Sequence, residues 1–107
     1  MADPCEPFDA AMQLLGRRWA GDVVRAMLAG EHTFGGIQRA VPGATDRMIA
    51  IRLRELTDLG ILTRTEPDDG PTRVRYDLTP AGQSLSMVLR EIERWGRRYG
   101  HLLGAAT

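Results

Sequence analysis

Apolar residues return at intervals of three and four along most of this chain, and the interval gives way to two in one stretch only. Phe8, Met12 and Leu15 follow Pro7 at helical spacing and Gly16 closes the run, so residues 8–15 read as a short amphipathic helix, too short to be stable alone. Arg17 and Arg18 lead into a second helix whose Trp19, Val23, Ala26 and Met27 share one face, with Gly30 placed to end it. Thr33 stands where it can cap a third helix carrying Phe34, Ile37 and Val41. Gly35 and Gly36 fall in that helix's first turn, each costing roughly 1 kcal/mol against alanine, so packing must hold it. Pro42 and Gly43 make a turn, and Thr45 caps a fourth helix that runs to about residue 59, where Gly60 stops it. Its Ile49, Leu53 and Leu56 form one stripe, and Arg47, Ala50, Ile51, Arg54 and Asp58 lie opposite.

Beyond Gly60 the period changes. Residues 61–66 read as a short strand, residues 67–71 hold a turn, and residues 73–78 alternate strictly, with Val74, Tyr76 and Leu78 inward and Arg73, Arg75 and Asp77 outward. Thr79-Pro80 is a cap followed by proline at the first helical position, and a long helix follows. Its Leu85, Val88, Leu89, Ile92, Trp95, Tyr99 and Leu102 make an apolar stripe for which one small domain has few burial places. The expected fold class is mainly α with a small β-hairpin, α+β, as one domain over residues 1–107. Helix, turn, helix, hairpin is the order of a winged helix-turn-helix: residues 45–60 are the recognition helix, 61–78 the wing and 79–103 the C-terminal helix.

Composition narrows the functions. The chain has 107 residues, enough for one core, and its 14 basic residues, all arginine, balance 14 acids to a formal net charge of zero. That excludes a simple polycationic coat for nucleic acid. Outside glycine-containing stretches the longest apolar runs are four residues, so no membrane span is expected, and the acidic start lacks the basic and apolar regions of a secretory signal. A cytoplasmic location follows as the expectation. One cysteine with two histidines gives no zinc-ligand spacing, and neither metal nor other cofactor is expected. No Ser-His-Asp or Cys-His order, glycine-rich phosphate loop or carboxylate pair is present, so the chain does not read as an enzyme.

The chemistry that remains is that of the fourth helix. Arg47 and Arg54, seven residues apart on one side, can fork onto a guanine edge or a phosphate, while Ala50 and Ile51 between them suit a thymine methyl. Thr45, beside the free N–H groups of the helix start, is a phosphate site. Gln38, Arg39, Arg73 and Arg75 are backbone contacts on the neighbouring elements. Arg52 either joins them or pairs with Glu55 or Asp58. Wing-tip Asp68 and Asp69 would repel phosphate, which leaves contact to the strands. Zero net charge keeps open an alternative, a winged-helix dimer that binds protein and not DNA.

The whole pattern resembles the HxlR-type winged helix-turn-helix transcriptional regulators of bacteria. The resemblance rests on Cys5, Leu15-Gly16-Arg17-Arg18-Trp19, the helix of Phe34 to Val41 with Pro42-Gly43, Arg52-Leu53-Arg54-Glu55-Leu56 leading to Leu59-Gly60-Ile61-Leu62, Val74-Arg75-Tyr76-Asp77-Leu78-Thr79, Gly82 and Trp95-Gly96. It covers roughly residues 5–100. It implies N- and C-terminal dimerisation helices, with Phe8, Met12, Leu85, Leu89, Ile92, Trp95 and Tyr99 at the interface. It also implies a homodimer that binds double-stranded operator DNA, read as an inverted repeat, to repress or activate a bacterial operon. Cys5 near that interface is a candidate redox sensor, although acidic Asp3 and Glu6 disfavour its thiolate. Aromatic Trp19, Trp95, Tyr99 and Phe8, with Met12, either line a small-molecule effector pocket between subunits or anchor core and interface.

Overall fold

A computed structural model of the chain describes residues 6–67 and 74–104. Five helices and one hairpin follow in order: α1 (Glu6–Leu15), α2 (Ala20–Leu28), α3 (Phe34–Ala40), α4 (Asp46–Asp58), β1 (Leu62–Thr65), β2 (Arg75–Leu78) and α5 (Pro80–Tyr99), the last running into a 3-10 turn (Gly100–Leu103). This is the mainly α, winged helix-turn-helix architecture that the hydrophobic pattern implies. The hairpin is shorter at both ends than the alternation suggests. The expected turn at 67–71 and Arg73 fall mostly outside the described residues, as does Cys5.

The helix boundaries follow from capping chemistry. Thr33, Thr45 and Thr79 are all extended N-caps whose hydroxyls accept from the backbone N–H three residues on, at Gly36, Met48 and Gly82. At the other ends, Gly30 (φ 112°) and Gly60 (φ 80°) adopt the left-handed conformation. Each is followed by the paired backbone bonds of a Schellman stop, Glu31 to Ala26 and Ile61 to Leu56 at 3.1 and 2.9 Å.

One boundary departs from the pattern. Trp19 does not start α2 as a helical residue; it precedes it with φ 74°, a left-handed conformation rare for a bulky residue. Packing holds it there. A Cβ on Gly43 would stand 2.7 Å from the Trp19 ring, so the outer edge of the indole packs against the turn between α3 and α4. The Arg18 guanidinium covers it, 4.7 Å from the ring centroid.

The core gathers one stripe from each of α2, α3 and α4 with one end of the hairpin. Val23, Val24, Ile37, Ile49, Leu53, Leu56 and Leu62 are essentially sealed from solvent. The strands pair antiparallel with Leu62 opposite Leu78 and Arg64 opposite Tyr76, and the Tyr76 N–H reaches back to the His32 carbonyl at 2.8 Å. Gly82 brings the first turn of α5 onto the chain leaving α4, because any Cβ there would collide with the Ile61 carbonyl. The wing is therefore tied at its base to both α4 and α5.

Candidate nucleic-acid interface

With Ile49, Leu53 and Leu56 fixed in the core, helical geometry turns the opposite side of α4 to solvent. Arg47, Ala50, Ile51 and Arg54 are all exposed there. Seven residues of helix separate the two arginines by about 10 Å along the axis, a span that fits a few successive base pairs. Neither arginine has an ion-pair partner among the described residues, which leaves both guanidinium forks available. Thr45 stands at the start of the same helix, its hydroxyl already accepting from Met48 at 3.2 Å.

The supporting contacts are mixed. Gln38 donates to the Asp46 carboxylate, joining α3 to the first turn of α4. Arg39 is exposed and lies against Gly35, where a Cβ would come 3.2 Å from its guanidinium. Gly36 answers a second packing demand, since a Cβ there would sit 2.6 Å from the Glu31 carboxylate. In the wing Arg75 is exposed, but its Nε lies 3.0 Å from both oxygens of Asp77, so it presents a neutralised pair.

Arg52 is corrected by the structure. Its side chain is only 14% exposed; Nε donates to the Arg18 carbonyl at 2.7 Å and Nη1 to Glu55 at 3.0 Å. It bonds inward and does not face the groove-side surface. Arg64 on β1 is the residue the sequence reading missed. With Arg54, Ala50, Thr57, Asp58, Phe34 and Tyr76 it lines a cavity of about 380 Å³ between α4 and the wing. Side-chain hydrogen bonding with Tyr76, then with Glu66, raises its pKa above the ordinary arginine value. The signal was available in the hairpin register, which sets Arg64 opposite Tyr76.

A second surface is apolar. Val88, Ile92, Trp95, Tyr99 and Leu102 repeat at spacings of four, three, four and three, a heptad seam, and are exposed, Ile92 by 53% and Leu102 by 70%. Phe8 and Met12 of α1 are exposed as well, and no residue of α1 is buried. One expected interface residue is corrected here: Leu89, 8% exposed, belongs to the protomer's own core, while Leu85 packs partly buried against it. Val88, Leu102 and Leu103 lie on the open side. The radius of gyration is 15.2 Å, against about 13 Å for a compact chain of this length, as protruding helices require.

Among the described residues no group of three metal-binding side chains comes together, and no helix is long and apolar enough to cross a membrane.

The family model of the HxlR-like helix-turn-helix matches residues 14–102. The chain belongs to the HxlR-like helix-turn-helix family. In this HxlR-like chain the matched region runs from the end of α1 to the end of the apolar seam, so it takes in the helix pair, the wing and α5. It is 32% identical over 98 residues to the HTH-type transcriptional regulator YvaP of Bacillus subtilis (strain 168), spanning 92% of this chain and 91% of that protein. It is 32% identical over 95 residues to the HTH-type transcriptional regulator YodB of the same organism, spanning 89% and 85%. Among solved structures, quinone-bound YodB from B. subtilis superposes with a TM-score of 0.75 at 31% identity, covering 88% of this chain and 98% of that one. The redox regulator HypR in its reduced form gives a TM-score of 0.82 at 29% identity, covering 92% and 98%.

Proposed function

We propose that this HxlR-like protein is a DNA-binding transcriptional regulator that works as a homodimer, inserting α4 of each protomer into successive major grooves of an inverted-repeat operator. The observation that carries this reading is the outer face of α4, where Arg47 and Arg54 flank Ala50 and Ile51 and have no acidic partner among the described residues. Arg39, Arg64 and the start of α4 at Thr45 supply phosphate contacts around it. The heptad seam of α5, with Phe8 and Met12, pairs the protomers. Catalysis has no part in this role, and the cytoplasm, where the chromosome is, is its place of action.

Selection of genomic DNA fragments with the purified dimer, followed by fluorescence anisotropy on the recovered site, tests the proposal. Nanomolar binding that requires two half-sites about one DNA turn apart, roughly 34 Å, or a multiple of it, is the expected result. No binding at low salt would hand the surface to a protein partner.

Control by oxidants or small electrophiles is part of the proposal, because YodB is described bound to quinone and HypR in reduced and oxidised forms. Cys5 is the one thiol available for it. Oxidant is expected to change operator affinity of the native chain and to leave the Cys5→Ser variant unchanged; equal responses would remove Cys5 from the scheme.

A further inference from the structure

The corner between α1 and α2 is fastened to α4 in two places. At the first, the Trp19 indole lies on Gly43 in the turn before α4, with Arg18 over it. At the second, the Arg52 Nε donates to the Arg18 carbonyl at 2.7 Å, and the Glu55 carboxylate accepts from both Arg17 at 3.2 Å and Arg52 at 3.0 Å. The corner itself is braced by backbone bonds from Gly16 to Met12 and from Ala20 to Arg17, at 2.8 and 3.1 Å. One attachment would leave α4 free to pivot about it. Two attachments, one before its first turn and one at its middle, fix its direction relative to α1.

We infer that Arg52 and Glu55 are positioning residues for operator recognition: through Arg17 and Arg18 they set the angle between the dimerisation arm and the recognition helix, and so the half-site spacing that the dimer accepts. This rests on the dimeric DNA-binding reading above. The lever explains why the angle matters. If recognition helices stand roughly 34 Å apart, each lies about 17 Å from the dyad, and a tilt of about 10° moves it about 3 Å, close to one base-pair step. Arg52 is well suited to the task because its planar fork binds carbonyl and carboxylate together in a fixed geometry, with most of its own side chain covered.

The test uses Arg52→Met, which keeps the buried stem and removes the donors, and Glu55→Gln, which keeps the shape and removes the charge. Affinity of the full chain is measured by anisotropy on the selected operator, on versions whose half-sites are moved apart or together one base pair at a time, and on a single half-site. The native protein is expected to show a sharp spacing optimum. In both variants affinity at that optimum falls at least tenfold, neighbouring spacings lose less, and the half-site changes less than threefold, with Arg52→Lys intermediate. An equal loss at every spacing and on the half-site, or an unchanged spacing profile, would overturn the inference. A second measurement needs no DNA: spin labels at Ala10→Cys and Ala50→Cys in a Cys5→Ser background, diluted with unlabelled chain, report the α1 to α4 distance. A broadened or displaced distribution in Arg52→Met is expected, and an unchanged one contradicts the clamp even if no operator is found.

Discussion

α4 and α5 are both amphipathic helices that lay one stripe on the same core, and they differ in what they show on the other side. α4 buries Ile49, Leu53 and Leu56 and presents Arg47, Ala50 and Arg54, a face that water solvates well and that suits an anionic partner. α5 buries Gly82 and Leu89 and presents Val88, Ile92, Trp95 and Tyr99, a face that water solvates badly. The contrast teaches that the inner stripes specify the fold, while the outer ones record the chemistry of the partner. On the proposed reading, α4 stays uncovered until DNA arrives, whereas α5 is covered by the matching seam of a second copy.

The strongest way to break this contrast is to give α5 the surface character of α4. Ile92→Glu puts a charge in the middle of the seam, two copies of which would face each other. Monomers are expected in sedimentation, and operator affinity should fall by about 10²- to 10⁴-fold, the advantage that linking two weak half-site contacts supplies. A variant that stayed dimeric would move the interface elsewhere. The converse change acts on α4. Arg47→Ala or Arg54→Ala should leave the dimer intact and weaken binding by roughly 1–3 kcal/mol, with relaxed preference at one base position if that fork reads a base. Loss that is uniform across sequences, with a shallower dependence on salt, assigns the residue to a phosphate instead.

How far these two faces were legible in the sequence depends on what sits behind them. The three threonine caps, the glycine stops at Gly30 and Gly60, and the stripe of Ile49, Leu53 and Leu56 are local signals, and local chemistry decides them. Leu89 is not separable in sequence from the exposed stripe because α5 carries two apolar stripes that overlap in spacing, and packing against α2 and the wing base, which Gly82 permits, determines which one turns inward. Trp19 could not be read as left-handed, because the surface that holds it there, Gly43, is 24 positions away in sequence. For Arg52 the pairing with Glu55 was visible at a spacing of three, whereas its acceptor at the Arg18 carbonyl was not. Arg64 was passed over because a charge on a short strand reads as solvated until the register sets it beside Tyr76.

The caps of the two helices separate next, by a smaller amount. Thr45 makes a single side-chain bond, accepting from Met48. The Thr79 hydroxyl accepts from Gly82 and also approaches the carbonyls of Gly60 and Ile61 at 2.6 and 3.0 Å, so it fastens α5 to the chain leaving α4. Thr79→Ala should destabilise by about 1–2 kcal/mol and Thr45→Ala by about 0.5–1 kcal/mol in denaturant titrations. Equal losses would mean that the extra bonds of Thr79 contribute nothing to holding the wing base.

The smallest difference concerns charge. In α4 the Arg52–Glu55 pair is partly shielded, whereas in α5 Arg97 meets Glu93 at 2.6 Å with its side chain 72% exposed. Glu93 also reaches Arg25 of α2 at 3.3 Å, so the outer half of α5 is joined to the domain by ions as well as by Leu89. Water and salt screen such exposed contacts, and Arg97→Ala is expected to cost only about 0.3–0.5 kcal/mol in denaturant, with operator affinity unchanged. A loss above about 1.5 kcal/mol, fading at high salt, would show that α5 is held in place by these ions. The apolar seam would then be free to shift with ionic strength, and the contrast with α4 would weaken.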